Sequence, residues 1–532
     1  MQTPEMVDFI GGLYELQGTS FSQRKAINCF LQSGEGSAKY SKLLLGTPGT
    51  SLVANLEVEA GGSNFGCRGL WMTDNGQFTG GTLYWVFGSK LGSTYKDPLS
   101  GDLISNVLYD IGFSTTRCSM TDNGAYLILV NGFDMYKVDI FTDEVTSLTN
   151  DLPFTKPIQV VYLGGRIVCI SDDDSKTTKK TLGQVLKNQV IWWSDLGIGG
   201  ESVWDGLSFI SAEASSDPIT SIAVRQGDLW AFGTRSYQVF NVTTNSDSPF
   251  EFAQGSSTSI GCNAPYSATA IGDNIFWMGS NASGRNVIFA GSGFNSVRIS
   301  NHGIESILQE FGDLTTNAYG FAYQEAGHLF YCLTIPSGNY VKEGQILFTE
   351  GRTIVYDVLT QQWHERASRE PLTGKLQAWQ PLFSAYAFGK IIVGNLLFPA
   401  LMELRGDVYT DYYPLSLSGT KPIYREFQSS VMFKDLKLFV LQEFQIDMNV
   451  GHAPLNGLSS NPKMGLQISK DSGNTWGSIR QREIGRVGNY AGRVRWVNNG
   501  SARNFVLRLI CTEDMLFQLG EGRTRTNVSV KP

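Results

Sequence analysis

The 532 residues read as an all-β protein, a β-propeller of about seven small antiparallel blades followed by a C-terminal β-sheet, sandwich-like domain. Three observations carry this expectation. A strand–turn–strand phrase recurs at irregular intervals of about 40 to 50 residues, a period at which repeats build solenoids or propellers. Its strands are short, about five residues each, so a single copy cannot bury both faces and must stack on others. Beyond residue 414 the phrase stops and the strands lengthen, which marks a second domain.

The unit is clearest in residues 194–252. Apolar and polar side chains alternate over 219–224, as in a half-buried strand. Arg225-Gln226-Gly227-Asp228 turns the chain, 229–233 forms a short apolar strand, Thr234-Arg235-Ser236 turns it again, and 237–242 runs back as a third strand. Related phrases occupy 69–95, 120–149, 160–170 with 189–194, 268–290, 320–357 and 384–393. The propeller is therefore assigned to residues 61–413. Radial repetition of small sheets leaves only short, protected edges.

Residues 1–60 are expected to form an N-terminal arm and closing strands. Residues 10–32 lack periodicity and read as an extended arm. Residues 40–57 read as a strand pair around a Thr47-Pro48-Gly49 turn, with strand material to complete the last blade and close the ring. Two insertions interrupt the repeats. Residues 171–187 carry three acids and then basic residues, which predicts a solvated loop with a short helical turn. Residues 301–314 place Ile304, Ile307, Leu308 and Phe311 on one face of a helix. Residues 414–421 look like a boundary, and 414–532 form the C-terminal domain.

Charged residues make up 17% of the chain, below the usual quarter, which fits either a surface covered by neighbouring subunits or simply an uncharged one. A net charge of -7 excludes a chain that clamps nucleic acid along its whole length. Charge is segregated, however. Residues 461–532 hold 12 Lys and Arg against 5 Asp and Glu; the first 460 hold 30 against 44, a net of -14. The basic region either faces an acidic partner or DNA, or consists of solvated strand faces. Seven scattered cysteines (Cys29, Cys67, Cys118, Cys169, Cys262, Cys332, Cys511) suit reduced thiols in a protein made in a cytoplasm. The first twelve residues lack a basic segment and do not read as a secretory signal. The longest apolar run, 391–402, is broken and too short to span a bilayer, so no membrane insertion is expected.

The sharpest motif is Ser469-Lys470-Asp471-Ser472-Gly473-Asn474-Thr475-Trp476, which matches the Asp box S-x-D-x-G-x-T-W of sialidases and related propellers. Ser469, Asp471, Gly473 and Trp476 are its key positions. The carboxylate accepts from turn amides, the glycine permits a left-handed turn, and the tryptophan is expected to pack under the hairpin. A sialidase would add an arginine triad, a tyrosine nucleophile and several boxes. One box alone reads as a structural hairpin, and no carboxylate pair is singled out for glycoside chemistry. His302, His328, His364 and His452 show no metal-ligand spacing. Gly197-Ile198-Gly199-Gly200 lacks the Lys-Ser/Thr of a phosphate loop, and Asp172-Asp173-Asp174 lacks the rest of a calcium loop. No cofactor, metal or catalytic residue is expected. Trp192, Trp193 and Trp230 lie in strands and read as core.

Ordered segments along most of the chain resemble a known family. They are GTSFSQRKAINCF, LLLGTPGTSLV, CRGL, MTDNGAYLILVNG, WDGLSFISAEASSDPITSI, DLWAFGTRSYQVF with SPFEF, IFWMGSNASGRNVI, RISNHGIESIL, AGHLFYCLTIP, VYDVLTQQWHER and LQISKDSGNTWG followed by GRVGNYAGRVRW. Each match is loose alone; their number and order give the resemblance to the packaged-DNA stabilisation proteins of short-tailed bacteriophages, also called tail accessory, nozzle or hub proteins. Residues 172–187 and the segment around His452 depart from the family pattern. The resemblance implies a virion component of the phage tail, a hexameric ring at the end of the DNA channel. It implies a portal adaptor, tail fibres or tailspikes, a needle or plug, and transient non-specific contact with double-stranded DNA as partners. It transfers no catalytic residues. Two other classes stay open: a receptor- or glycan-binding propeller using its aromatic loops, and a glycan-cleaving enzyme, which would need a convergent polar pocket.

Overall fold

The computed structural model describes residues 5–7, 10–15, 23–34, 39–62, 66–74, 76, 78, 80–173, 189–197, 203–212, 217–281, 284–342, 345–414, 419–435, 437–454 and 458–528. Among them, seven small antiparallel sheets follow one another along residues 67–110, 119–147, 155–211, 219–252, 261–298, 319–369 and 381–405. These are the propeller blades, numbered one to seven here. The central strand of blade one shows why the sequence builds them. Thr82–Phe87 is buried on both faces. Tyr84 and Val86 pack with Leu127, Leu129 and Val138 of blade two, whereas Leu83, Trp85 and Phe87 pack with Leu382, Ile392 and Leu401 of blade seven. A strand buried on both sides reads as a continuous apolar run rather than an alternation.

The same packing links each blade to the next. Trp192 of blade three meets Ile128 of blade two, and Trp230 of blade four meets Trp277 of blade five, ring centroids 6.0 Å apart. Because blade seven packs on blade one, the ring is closed. Closure uses the strand Gly49–Asn55, which pairs antiparallel with Ala400–Arg405 and supplies the fourth strand of blade seven. In blade four a fourth strand, Phe250–Phe252, joins the three expected ones by pairing Val242 with Phe250. Three residues are too few to show a period, so only pairing reveals it.

The helix His302–Glu310 is capped by Asn301, whose side chain accepts from the Ile304 amide at 2.9 Å. It buries Ile304, Ile307 and Leu308 between blades five and six, with Phe311 following. The 171–187 insertion begins inside the strand Arg166–Asp173, and its expected loop, 174–187, lies outside the described residues.

The second domain is a two-layer sandwich. One layer orders Cys29–Ser33, Lys42–Gly46, Gln518–Val528, Phe439–Met448 and Val494–Val497. The other orders Gln23–Ile27, Arg425–Gln428, Asn504–Cys511, Lys463–Ser469 and Arg480–Glu483. Phe427, Phe444, Trp496 and Leu507 fill a single core between them. N-terminal strands thus enter both layers, where the sequence suggested an arm. The chain turns between Gln23–Ile27 and Cys29–Ser33 at Asn28, with φ 54°. Lys42–Gly46 and Gly49–Asn55 do not form the expected hairpin; one enters the sandwich and the other blade seven. Their backbone groups are taken elsewhere, the Thr47 amide by the Asn28 carbonyl (3.1 Å) and the Gly49 amide by the Val408 carbonyl (2.8 Å).

Gln23–Ile27 also joins the two domains. It pairs in parallel with blade six at Ile27 and Glu365, and antiparallel with Arg425–Gln428. Blade six and one sandwich layer are therefore a single sheet. All seven cysteines are free and buried. No helix among the described residues is long and apolar enough to cross a membrane.

Candidate interaction surface

The Asp-box residues sit in the turn between Lys463–Ser469 and Arg480–Glu483. The Ser469 hydroxyl donates to Asp471 Oδ1 at 2.6 Å and accepts from the Gly473 amide at 2.8 Å. Asp471 Oδ1 also accepts from the Thr475 amide at 2.8 Å, and Oδ2 from the Thr475 hydroxyl at 2.5 Å. Gly473 takes φ 97°, which a side chain rarely tolerates. The Ser469 and Thr475 hydrogen bonds lower the Asp471 carboxyl to about 2. Trp476 stands apart from this knot. It is half-buried, and the Arg508 guanidinium lies 3.6 Å from its ring centroid. The ring is covered by an arginine of the adjoining strand Asn504–Cys511, where packing under the hairpin was expected. The turn's polar groups bond to one another, which leaves a rigid hairpin.

A second cluster has the residue types of a catalytic site. In blade six, His328 Nδ1 lies 2.8 Å from Asp357 Oδ2, which accepts from the Thr360 hydroxyl at 2.7 Å. Nearby, Arg366 donates through Nε to His364 at 3.2 Å and through Nη1 to the Tyr323 hydroxyl. Burial, then the Arg366 charge, push His364 well below its ordinary pKa. None of His328, Asp357, His364 and Arg366 is more than 3% exposed. The cluster joins blade six to Phe30 of the sandwich, 5.1 Å from the His328 ring, and offers a substrate no approach.

An open polar surface lies on the outer face of the sandwich. Phe439–Met448 runs between Val494–Val497 and Gln518–Val528. Phe444, Ile446, Val494 and Trp496 point into the core. The alternate positions Glu443, Gln445, Arg495, Arg523 and Arg525 line a groove of about 590 Å³ together with Lys39, Arg493 and Glu521. Gln445 stands opposite Arg495 on one side and Arg523 on the other. Glu443 lies 3.9 Å from Arg495 and 3.7 Å from Arg525. Burial raises the Asp447 carboxyl, but hydrogen bonds from Lys39 and Tyr40 outweigh it and hold the pKa below the ordinary value. Sequence reasoning noted the basic region but missed this face. Its signal was the period-two pairs Arg493-Val494-Arg495 and Arg523-Thr524-Arg525. Acids interspersed with arginines suit a protein surface better than a continuous row of phosphates.

A propeller sealed by its own N-terminal strand is fused through one continuous sheet to a sandwich with an arginine-rich outer groove, which defines a two-domain, all-β protein. Residues 68–408 match the family model described as "Bacteriophage P22 Gp10, beta-propeller", and residues 424–527 the one described as "Bacteriophage P22 Gp10, beta-sandwich". The chain belongs to the bacteriophage P22 Gp10 family. It is a structural protein of a phage tail that stabilises packaged DNA. Among curated proteins nothing matches it.

Proposed function

We propose that the chain assembles into a closed ring, a homohexamer, at the end of the tail's DNA channel. There it docks on the portal adaptor, retains the packaged genome, and carries fibres or tailspikes and a needle or plug. Family membership across both domains carries this reading. Identical subunits joined head to tail close into a ring when the rotation between them permits it. The arginine groove of the sandwich supports docking of an acidic protein surface, and the net -14 of the first 460 residues suits a channel wall that releases duplex DNA. Contact with DNA is then transient and non-specific. Synthesis takes place in the host cytoplasm, where the buried thiols stay reduced. The Asp-box hairpin of Ser469, Asp471, Gly473 and Trp476 stiffens the sandwich edge and performs no chemistry.

A phage lacking this gene tests the reading. Filled heads without the protein should lose DNA and show no distal tail by electron microscopy. Particles that keep DNA and a complete, infectious tail would refute it. Arg493→Glu with Arg523→Glu tests the groove. Both side chains are exposed, so the double variant should fold like the parent while failing to join tails. Normal incorporation would assign docking to another surface.

A further inference from the structure

The inner strands of all seven blades enclose an axial cavity of about 400 Å³, lined among others by Trp71, Ser119, Gln159, Ile222, Thr269 and Phe321. A second pocket of about 200 Å³ adjoins it and shares Arg117 and Phe383 with it. The link between blades one and two carries Arg117 and the hydroxyl-bearing Ser114, Thr115 and Thr116, all at the smaller pocket. Among the described residues, no Asp or Glu lines either space.

Two arginines meet the smaller pocket. Arg117 donates through Nη1 to the Tyr266 carbonyl at 2.8 Å, and its guanidinium lies 4.5 Å from the Phe383 ring centroid. Among the described residues it forms no ion pair. Arg68 is 6% exposed and donates to the carbonyls of Thr116 (2.8 Å) and Gly88 (2.6 Å). Its Nη2 is buried without a hydrogen-bond partner. Burial lowers Arg117 to about 10, so it stays charged at neutral pH. Two cations placed together, one with an unsatisfied buried donor and neither with a carboxylate, are costly unless an anion joins them. Guanidinium groups are matched to the planar or tetrahedral oxygens of carboxylate and phosphate.

We propose that this pocket is an oxyanion site at the propeller axis, in which Arg117 and Arg68 receive one carboxylate or phosphate group against the rings of Phe383 and Tyr319. Its size admits a small free anion or a single acidic side chain inserted by a neighbouring tail protein, and excludes duplex DNA. The site does not depend on the ring assignment.

Selenate, an oxyanion with an anomalous signal, is the direct probe. Crystals of the wild-type chain grown with selenate should show a peak within hydrogen-bond distance of Arg117, which assigns the site to free oxyanions. A site empty of selenate but filled by an Asp or Glu of a neighbour in the assembled tail assigns it to a protein carboxylate. A site empty in both overturns the proposal. In solution, phosphate or succinate should raise the melting temperature above that in chloride at equal ionic strength, and Arg117→Met should lose the shift. An equal shift in the folded variant would also overturn the proposal. The selenate result stands even where the variant fails to fold.

Discussion

Asn28→Ala should be among the most damaging single substitutions in the chain, because Asn28 ties the two domains at one buried point. The residue is 1% exposed. Its Nδ2 donates to the carbonyls of Ala367 in blade six and Tyr424 in the sandwich, both at 2.7 Å. Its Oδ1 accepts from the Ala367 amide at 3.0 Å. Alanine leaves the two buried backbone groups of Ala367 and the part-buried Tyr424 carbonyl short of a partner. At about 1–3 kcal/mol for each group, reduced by relaxation and water entry, the loss comes to roughly 3–5 kcal/mol. The backbone at φ 54° adds about 1 kcal/mol for alanine, which glycine avoids. Asn28→Gly should therefore be destabilised less than Asn28→Ala by about 1 kcal/mol. Urea unfolding followed by tryptophan fluorescence reads both numbers. Because Gln23–Ile27 makes one sheet of blade six and a sandwich layer, the parent should unfold in a single transition and Asn28→Ala in two. An alanine variant within about 1 kcal/mol of the parent, still unfolding in one step, would refute the account of this junction.

Three further outcomes follow from the same geometry. Asp471, held near 2 in the folded chain against an ordinary 3.8, adds stability that is complete above about pH 4 and fades as pH falls through 2. Asp471→Ala should thus melt lower than the parent at pH 6, with the gap closing towards pH 2; a gap independent of pH would contradict the hydrogen-bonded turn. Asp411 is buried, and that burial raises its pKa to about 7 despite the Arg425 charge. Its ionisation opposes folding, so stability should decline as pH rises from about 4 through 7, and Asp411→Asn should flatten that slope in melting curves. With all seven thiols buried, a thiol reagent should label none of them rapidly in the native protein and all of them in denaturant; rapid native labelling would contradict the closed packing of the blades or, at Cys29 and Cys511, of the sandwich core.

Local pattern in the sequence determined a good deal. Apolar runs such as Thr82–Phe87, turn residues between them, and their recurrence specify small stacked sheets, because strand periodicity and turn chemistry act over a few residues. The face of the helix at His302–Glu310 and the Asp-box turn were legible for the same reason. Family resemblance rested on the order of such local phrases. What only the tertiary structure decided was which distant segments pair. Glu5–Val7 pairs with Gln518–Val528, Gln23–Ile27 lies between blade six and Arg425–Gln428, and Pro48 separates two strands bound for different domains. The Arg68 and Arg117 pocket likewise exists only where blades one, six and seven converge. Hydrogen bonds between strands hundreds of residues apart leave no period in either strand, since each backbone offers the same donors and acceptors whatever its partner. Partner choice is settled by the cores those strands jointly bury, and that is a property of the folded chain.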